Sequence, residues 1–299
     1  MDYAIQQLLN ALAFGSEYAL IALGLALVYS IMNLMNFAHG EIIACAGYSM
    51  YLLLLLGIGS PWLIAPIAVA AGALTAIVFE RVAFRPVRHS PTTTGLLTAL
   101  GVSIVVQNLI TLFISPRPRA VPVFSELSRT IFVGPYAVSL LQILELGVVI
   151  LAIAGLVLFL RRSLLGLAIQ AATREFSTVR LMGIRANRVI AAAFALSGLL
   201  AGIAAIFIVA RRGSIDPDFG FQPVIKAFVA CVIGGFGSLG GAVFGGMLLG
   251  FLDVAIVMML PQEYGGLSDA ITYSIIAALL VWRPDGLLMR RIELGDKEI

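Results

Sequence analysis

The sequence predicts an all-α fold, a polytopic bundle of about eight membrane helices, and three observations carry that expectation. Of its 299 residues, 61% are hydrophobic and 12% charged, whereas soluble domains run at roughly 45–50% apolar and about 25% charged. Apolar stretches near the length a bilayer requires, about 20 residues, recur from end to end. Arginine gathers in alternate connections between them, the asymmetry that orients membrane proteins. Such a composition excludes disorder, which needs low hydrophobicity, a nucleic-acid-binding domain, which needs a basic face, and a disulfide scaffold, which needs many cysteines. The two cysteines, Cys45 and Cys231, lie in apolar runs and carry no redox signature.

The first span is expected over residues 5–31. Residues 1–7 contain no Lys or Arg and so lack the charged segment of a cleaved signal peptide; the stretch is expected to stay as a span. Further spans are expected over 41–58, 62–82, 93–115, 137–160, 189–210 and 267–281. Between the last two, residues 223–260 fit neither one span nor two, because Gly234, Gly235, Gly237, Gly240 and Gly241 interrupt the run and Gly245, Gly246 and Gly250 follow. Charge decides the parity. Arg81, Arg85 and Arg88 share a side with the six arginines from Arg161 to Arg188, since two spans separate the groups. An even crossing by the glycine run adds Arg283, Arg290, Arg291 and Lys297 to that side, which leaves a clear positive-inside bias; a single crossing leaves none. The run is therefore a hairpin or a re-entrant, broken helix, and the N-terminus is outside. One integral membrane domain over residues 1–299 describes the chain.

Several chemistries are missing. A phosphate-binding loop of the GxxxxGK[ST] type needs a lysine directly after a glycine, yet Lys226 follows Ile225 and Lys297 follows Asp296. No ATP hydrolysis by this chain is expected. His39 and His89 are the only histidines and neither has an HExxH or CxxC context, so no metal site is expected. No nucleophile–base pair stands out, and no catalytic residue is assigned.

Ionisable groups inside spans are costly and are candidates for function. Glu17, Glu145 and Asp253 fall inside predicted spans, Glu41 opens the second, and Gln107-Asn108 interrupts the fourth. The competing reading is that they pair or hydrogen-bond between helices and hold the bundle in register; it is preferred for Glu17 and Gln107, while for Asp253 both readings stand. Asn36, His39 and Glu41 are expected to form a hydrogen-bonded turn between the first two spans, with a place on the solute path as the alternative. For Gly234, Gly235, Gly237, Gly240 and Gly241, small residues at helical spacing permit close packing, and a broken helix equally permits a transport path. The segment 161–188 is basic and amphipathic: Leu167, Ile169, Ala172, Phe176, Val179 and Leu181 recur near helical spacing among arginines. On the cytoplasmic side it would lie on anionic lipid or dock into a groove of a soluble partner, and composition favours lipid.

Five stretches, in order, resemble one family. Residues 35–41 (MNFAHGE) resemble the NFAHGE signature of the branched-chain amino-acid ABC importer permeases. Residues 80–88 (ERVAFRPVR) are similar to their ERxAxRPxR loop, and Leu181-Met182-Gly183-Ile184 with Arg188-Val189-Ile190-Ala191 to their cytoplasmic coupling region. Residues 227–250 resemble their glycine-rich run, and Arg283-Pro284-Asp285-Gly286-Leu287 their RPxGL tail. The resemblance is to the LivH-type permease subunit. It implies a multi-pass protein of the bacterial inner membrane that forms the path for branched-chain amino acids delivered by a periplasmic substrate-binding protein. It also implies a second permease subunit, LivM-type or a second copy in a homodimer, and two cytoplasmic ABC ATPases that bind the ATP, with no cofactor on this chain. Contact with the ATPases is implied for Leu164, Leu167, Ala172, Arg174, Glu175, Leu181, Met182 and Gly183, with Gly183 as anchor. The glutamate-alanine-alanine triplet of other ABC importers is missing; Ala171-Ala172-Thr173-Arg174-Glu175 stands nearby. Relatives in the family also carry urea, short amides and other amino acids. The rival classes are a secondary transporter or channel, which should show an internal repeat or an ion site, and a lipid-modifying membrane enzyme, which should show a catalytic cluster.

Overall fold

The computed structural model describes residues 2–88, 90–124, 129–133, 136–174 and 184–282, and helices carry most of them. In chain order they are α1 (Asp2–Met32), α2 (His39–Leu55), α3 (Pro61–Phe79), α4 (Thr92–Phe113), α5 (Leu140–Arg162), α6 (Leu164–Arg174), α7 (Ala186–Arg212), α8 (Phe221–Gly234), α9 (Leu239–Met259) and α10 (Ser268–Trp282). Six of these, α1, α3, α4, α5, α7 and α9, are long and apolar enough to cross a membrane. The helix α3 starts with Pro61, whose missing N–H costs nothing in a first turn. It runs on through a π turn, Glu80–Phe84, and a further helical turn, Arg85–Val87.

The centre of the bundle is α1. Its span is 89% buried, against 17% for α4 and 22% for α3 and α5. A helix that is apolar on every side suits such a position, and α1 packs along α5, α7, α8 and α9. A second layer forms where α2 and α3 lie against α7. The outer flanks of α3, α4 and α5 present bare leucine, isoleucine and valine, among them Leu74, Leu97, Ile104, Leu112, Ile150 and Leu151. Water would not tolerate so broad an apolar surface; a bilayer or another membrane subunit does.

Contacts between distant connections fix which ends of the helices lie together. Arg88, after α3, donates to Asn187 at the start of α7 at 2.7 Å, so the arginine-rich connections share one face of the bundle, as their charge predicts. At the opposite face Arg119-Ala120 (β1) pairs antiparallel with Ser214-Ile215 (β4), and Gln142 of α5 donates to Asn10 of α1 at 3.0 Å. The glycine-rich run is a helical hairpin: α8 and α9 pack side by side, and Asp253 near the end of α9 meets Lys226 in the first half of α8. The hairpin thus brings the chain back to the end it left, consistent with the even reading, although α8 with its 14 residues is shorter than a full span.

Some sequence expectations need correction. The fifth span starts at Leu140, not 137, because Tyr136–Ser139 (β3) forms a hairpin with Thr130–Val133 (β2). Ser139 then caps α5: its hydroxyl accepts from Leu141 N while Gln142 accepts from Ser139 N, a reciprocal capping box that ends the strand and starts the helix. Neither ribbon was expected in an all-α chain. The run 223–260 is divided at residues 235–238, where Gly235 and Gly237 hold φ of 92° and 86°, a left-handed region that L side chains rarely adopt.

Candidate functional site

Of the residues expected to contact an ATPase, Leu164, Leu167, Ala172 and Arg174 lie on α6, at the arginine-rich face. Glu175, Leu181, Met182 and Gly183, and the side chain of Arg174, lie outside the described residues. The helix is two-faced. Ala168, Ile169 and Ala172 are buried against the bundle, whereas Leu164 is 87% exposed, with Leu165 and Leu167 about half exposed. The expected single apolar stripe is therefore split. Ile169 and Ala172 anchor α6 on α5 and α7, and the leucines point away.

Asn36, His39 and Glu41 share a backbone turn, with His39 N donating to Asn36 O at 3.1 Å, but their side chains diverge. Ser197 of α7 donates to the Gly24 carbonyl at 2.8 Å and lies 3.3 Å from His39 Nδ1. Glu41 accepts from Ser103 at 2.6 Å and from Gln107 at 2.8 Å, both on α4. The side-chain amide of Asn36 is buried and has no hydrogen-bond partner among the described residues. The turn between the first two spans is thus hydrogen-bonded through its backbone, while the three side chains reach into different surroundings. Glu41 and Gln107 instead hold α2 to α4, an interhelical link of the kind preferred for Gln107.

The candidate glycines divide by environment. A Cβ at Gly234 would strike the Gly241 backbone and the reverse, so these two set the closeness of α8 and α9. Gly235 and Gly237 make the turn, and Gly240 is exposed and faces open space. Beside the hairpin tip, Phe236 packs at a tilt against Tyr29 and Phe228 at ring-centroid distances of 4.7 and 5.4 Å, and Phe228 reaches Phe37 at 5.4 Å. These rings join the hairpin tip to the turn before α2.

At the other end of the bundle, charges that are mostly buried or half-buried pair in two linked sets. Arg211, near the end of α7, donates to both carboxylate oxygens of Glu145 at 2.8 and 2.7 Å. It lies 2.9 Å from Glu17 Oε2, a close ion pair that is too poorly aligned to count as a hydrogen bond. Its guanidinium also stacks on Phe14 at 4.6 Å. Lys226 on α8 binds Asp253 of α9 at 2.7 Å, Asp269 of α10 at 3.1 Å and Tyr18 of α1 at 3.1 Å. Asp253 also accepts from Tyr18 and Thr272, each at 3.0 Å. Cavities of about 350 and 150 Å³ flank this set, and both are bordered by Phe14, Tyr18, Lys226 and Asp269.

Such an arrangement binds helices together and lines the two cavities with paired charges. Sequence reading singled out Glu17, Glu145 and Asp253 but missed Lys226 and Arg211 as their partners. The available signal was Lys226 itself, one of two lysines in the chain and placed in an apolar run. Among the described residues no group of three or more His, Cys, Asp or Glu side chains is arranged to hold a metal ion.

A bundle of this kind, with six helices long and apolar enough to cross a membrane, belongs among polytopic membrane proteins. Residues 7–282 match the family of permease components of branched-chain amino acid transport systems. The chain is 37% identical to the high-affinity branched-chain amino acid transport system permease protein BraD of Pseudomonas aeruginosa, over 96% of both chains. It is 35% and 34% identical to the LivH permease proteins of Salmonella typhimurium and Escherichia coli, again over 96% of each chain. This chain belongs to the branched-chain amino acid transport system permease family, and is a multi-pass membrane permease component.

Proposed function

We propose that this chain forms the translocation path for branched-chain amino acids in a bacterial inner-membrane ABC importer. Its similarity to BraD and LivH across 96% of their length carries the reading. The chain has no glycine–lysine pair for a phosphate-binding loop, so ATP is bound by partner subunits. In this scheme the partners are a second permease subunit, either LivM-type or another copy, two cytoplasmic ATPases and a periplasmic substrate-binding protein. The whole of 1–299 acts as one integral domain, and the segment 161–188 couples it to the ATPases. The exposed edge of Leu164 and Leu167 supports that coupling, because two leucines presented at the face that charge assigns to the cytoplasm suit an apolar groove on a soluble subunit. Solute enters at the charged cleft; the turn from Asn36 to Glu41 and the hairpin tip from Gly234 to Gly241 close the inner end of its path through their shared aromatic cluster.

Reconstituting the chain with its partner subunits and binding protein in liposomes tests this directly. ATP-dependent uptake of radiolabelled leucine is expected, and its absence alongside uptake of another solute class would refute the substrate assignment. Leu164→Asp with Leu167→Asp is expected to abolish co-purification of the ATPases while leaving the permease folded, since both side chains stand clear of the core.

A further inference from the structure

We infer that Lys226 and Asp269 form a binding site for the zwitterionic end of an amino acid on the permease itself, with its apolar side chain in the adjoining cavity. This rests on the amino-acid reading above and adds a place and a recognition chemistry to it. An ammonium group has three donors; two of those of Lys226 go to Tyr18 and Asp253, and Asp269 is held only as an ion pair, without an aligned hydrogen bond. The contacts are not equivalent. Asp253 is held from two further sides by Tyr18 and Thr272, and its side chain is 13% exposed. Asp269 stands in the first turn of α10, with its side chain 55% exposed and the longer of the two ion-pair distances, 3.1 against 2.7 Å. The Lys226–Asp269 contact is therefore the exchangeable one.

A zwitterion fits that contact by insertion. Its carboxylate takes the third N–H of Lys226, and the released Asp269 carboxylate accepts from its ammonium. Every charge stays paired and no net charge enters the bundle, where an unpaired ion is costly. A carboxylate alone would leave Asp269 facing a second anion, and an amine alone would leave Lys226 facing a second cation. Selection for a solute with both groups follows. The larger cavity, about 350 Å³, lies at the low end of the range for small-molecule sites, and Phe14, Val254 and Val257 give it apolar walls.

The assembled transporter in nanodiscs, without ATP or binding protein, is titrated with radiolabelled leucine and competed with 4-methylpentanoate, which keeps the carbon skeleton and loses the amine. Wild type is expected to bind leucine and to be displaced poorly. Asp269→Asn is expected to weaken leucine binding by about tenfold or more, the worth of one charge-assisted hydrogen bond, and to narrow the gap between the two compounds. Because Asp269 is exposed, this variant tests the site without the unpaired buried carboxylate that Lys226→Met would leave at Asp253. Unchanged leucine affinity in Asp269→Asn would overturn the site. Loss of leucine binding on adding phosphatidylethanolamine, whose headgroup bears the same two charges, would assign the cleft to lipid and overturn the amino-acid occupant. Leucine uptake by wild type, run in parallel, separates the two levels: uptake with no effect of Asp269→Asn removes the site and spares the function, whereas no uptake removes the function.

Discussion

At the scale of single residues, Arg211 decides most. It pairs with both Glu17 and Glu145, and Glu145 is fully buried. Breaking a buried pair from one side costs far more than removing it whole, because an unpaired charge remains. Arg211→Met is expected to destabilise the protein by about 3–5 kcal/mol, read as an earlier unfolding midpoint in a detergent denaturation series. The triple change Arg211→Met, Glu17→Gln, Glu145→Gln is expected to recover most of that loss. If the single and triple variants unfolded alike, the two carboxylates would not depend on this arginine. The carboxylates were visible in the sequence as charges within apolar runs. Their partners were not, because Arg211 sits 66 residues from Glu145 and Lys226 sits 208 from Tyr18, and no local periodicity records such pairings.

Among elements, the α8–α9 hairpin shows how glycine serves two ends in one stretch. Gly246 and Gly250 face α1, where an added Cβ would collide with the backbones of Ala19 and Gly15, and Gly245 faces Ala230 in the same way. Gly246→Leu is expected to abolish accumulation of folded protein, measured as monodisperse material on size exclusion, while Gly240→Ala leaves it unchanged. Equal yields from both would remove the close crossing as a determinant of the fold. The long apolar helices were legible because a bilayer imposes a length of about 20 residues on each, and the hairpin's parity was legible through its flanking charge. The β2–β3 ribbon was hidden, since Tyr136–Ser139 reads as an apolar extension of the following span. The split face of α6 was hidden too, because spacing alone assigned Leu167, Ile169 and Ala172 to one stripe.

For the whole molecule, orientation is the property on which function turns. Impermeant maleimide is expected to label Ser90→Cys and Thr173→Cys, both exposed on the arginine-rich face, only in inside-out vesicles. Tyr264→Cys, exposed between α9 and α10, is expected to react only in right-side-out ones. The reverse pattern would turn the charged cleft toward the cytoplasm and contradict an importer. Helices α3, α4 and α5 keep most of their surface outside the bundle, and α1 is enclosed, so relative motion within the chain has few places to start. The two-residue ribbon of Arg119-Ala120 with Ser214-Ile215 narrows them further. It ties the segment leaving α4 to the segment joining α7 and α8, so a tilt of α4 is passed through the ribbon, like a pull on a short tether, to the start of the helix that carries Lys226.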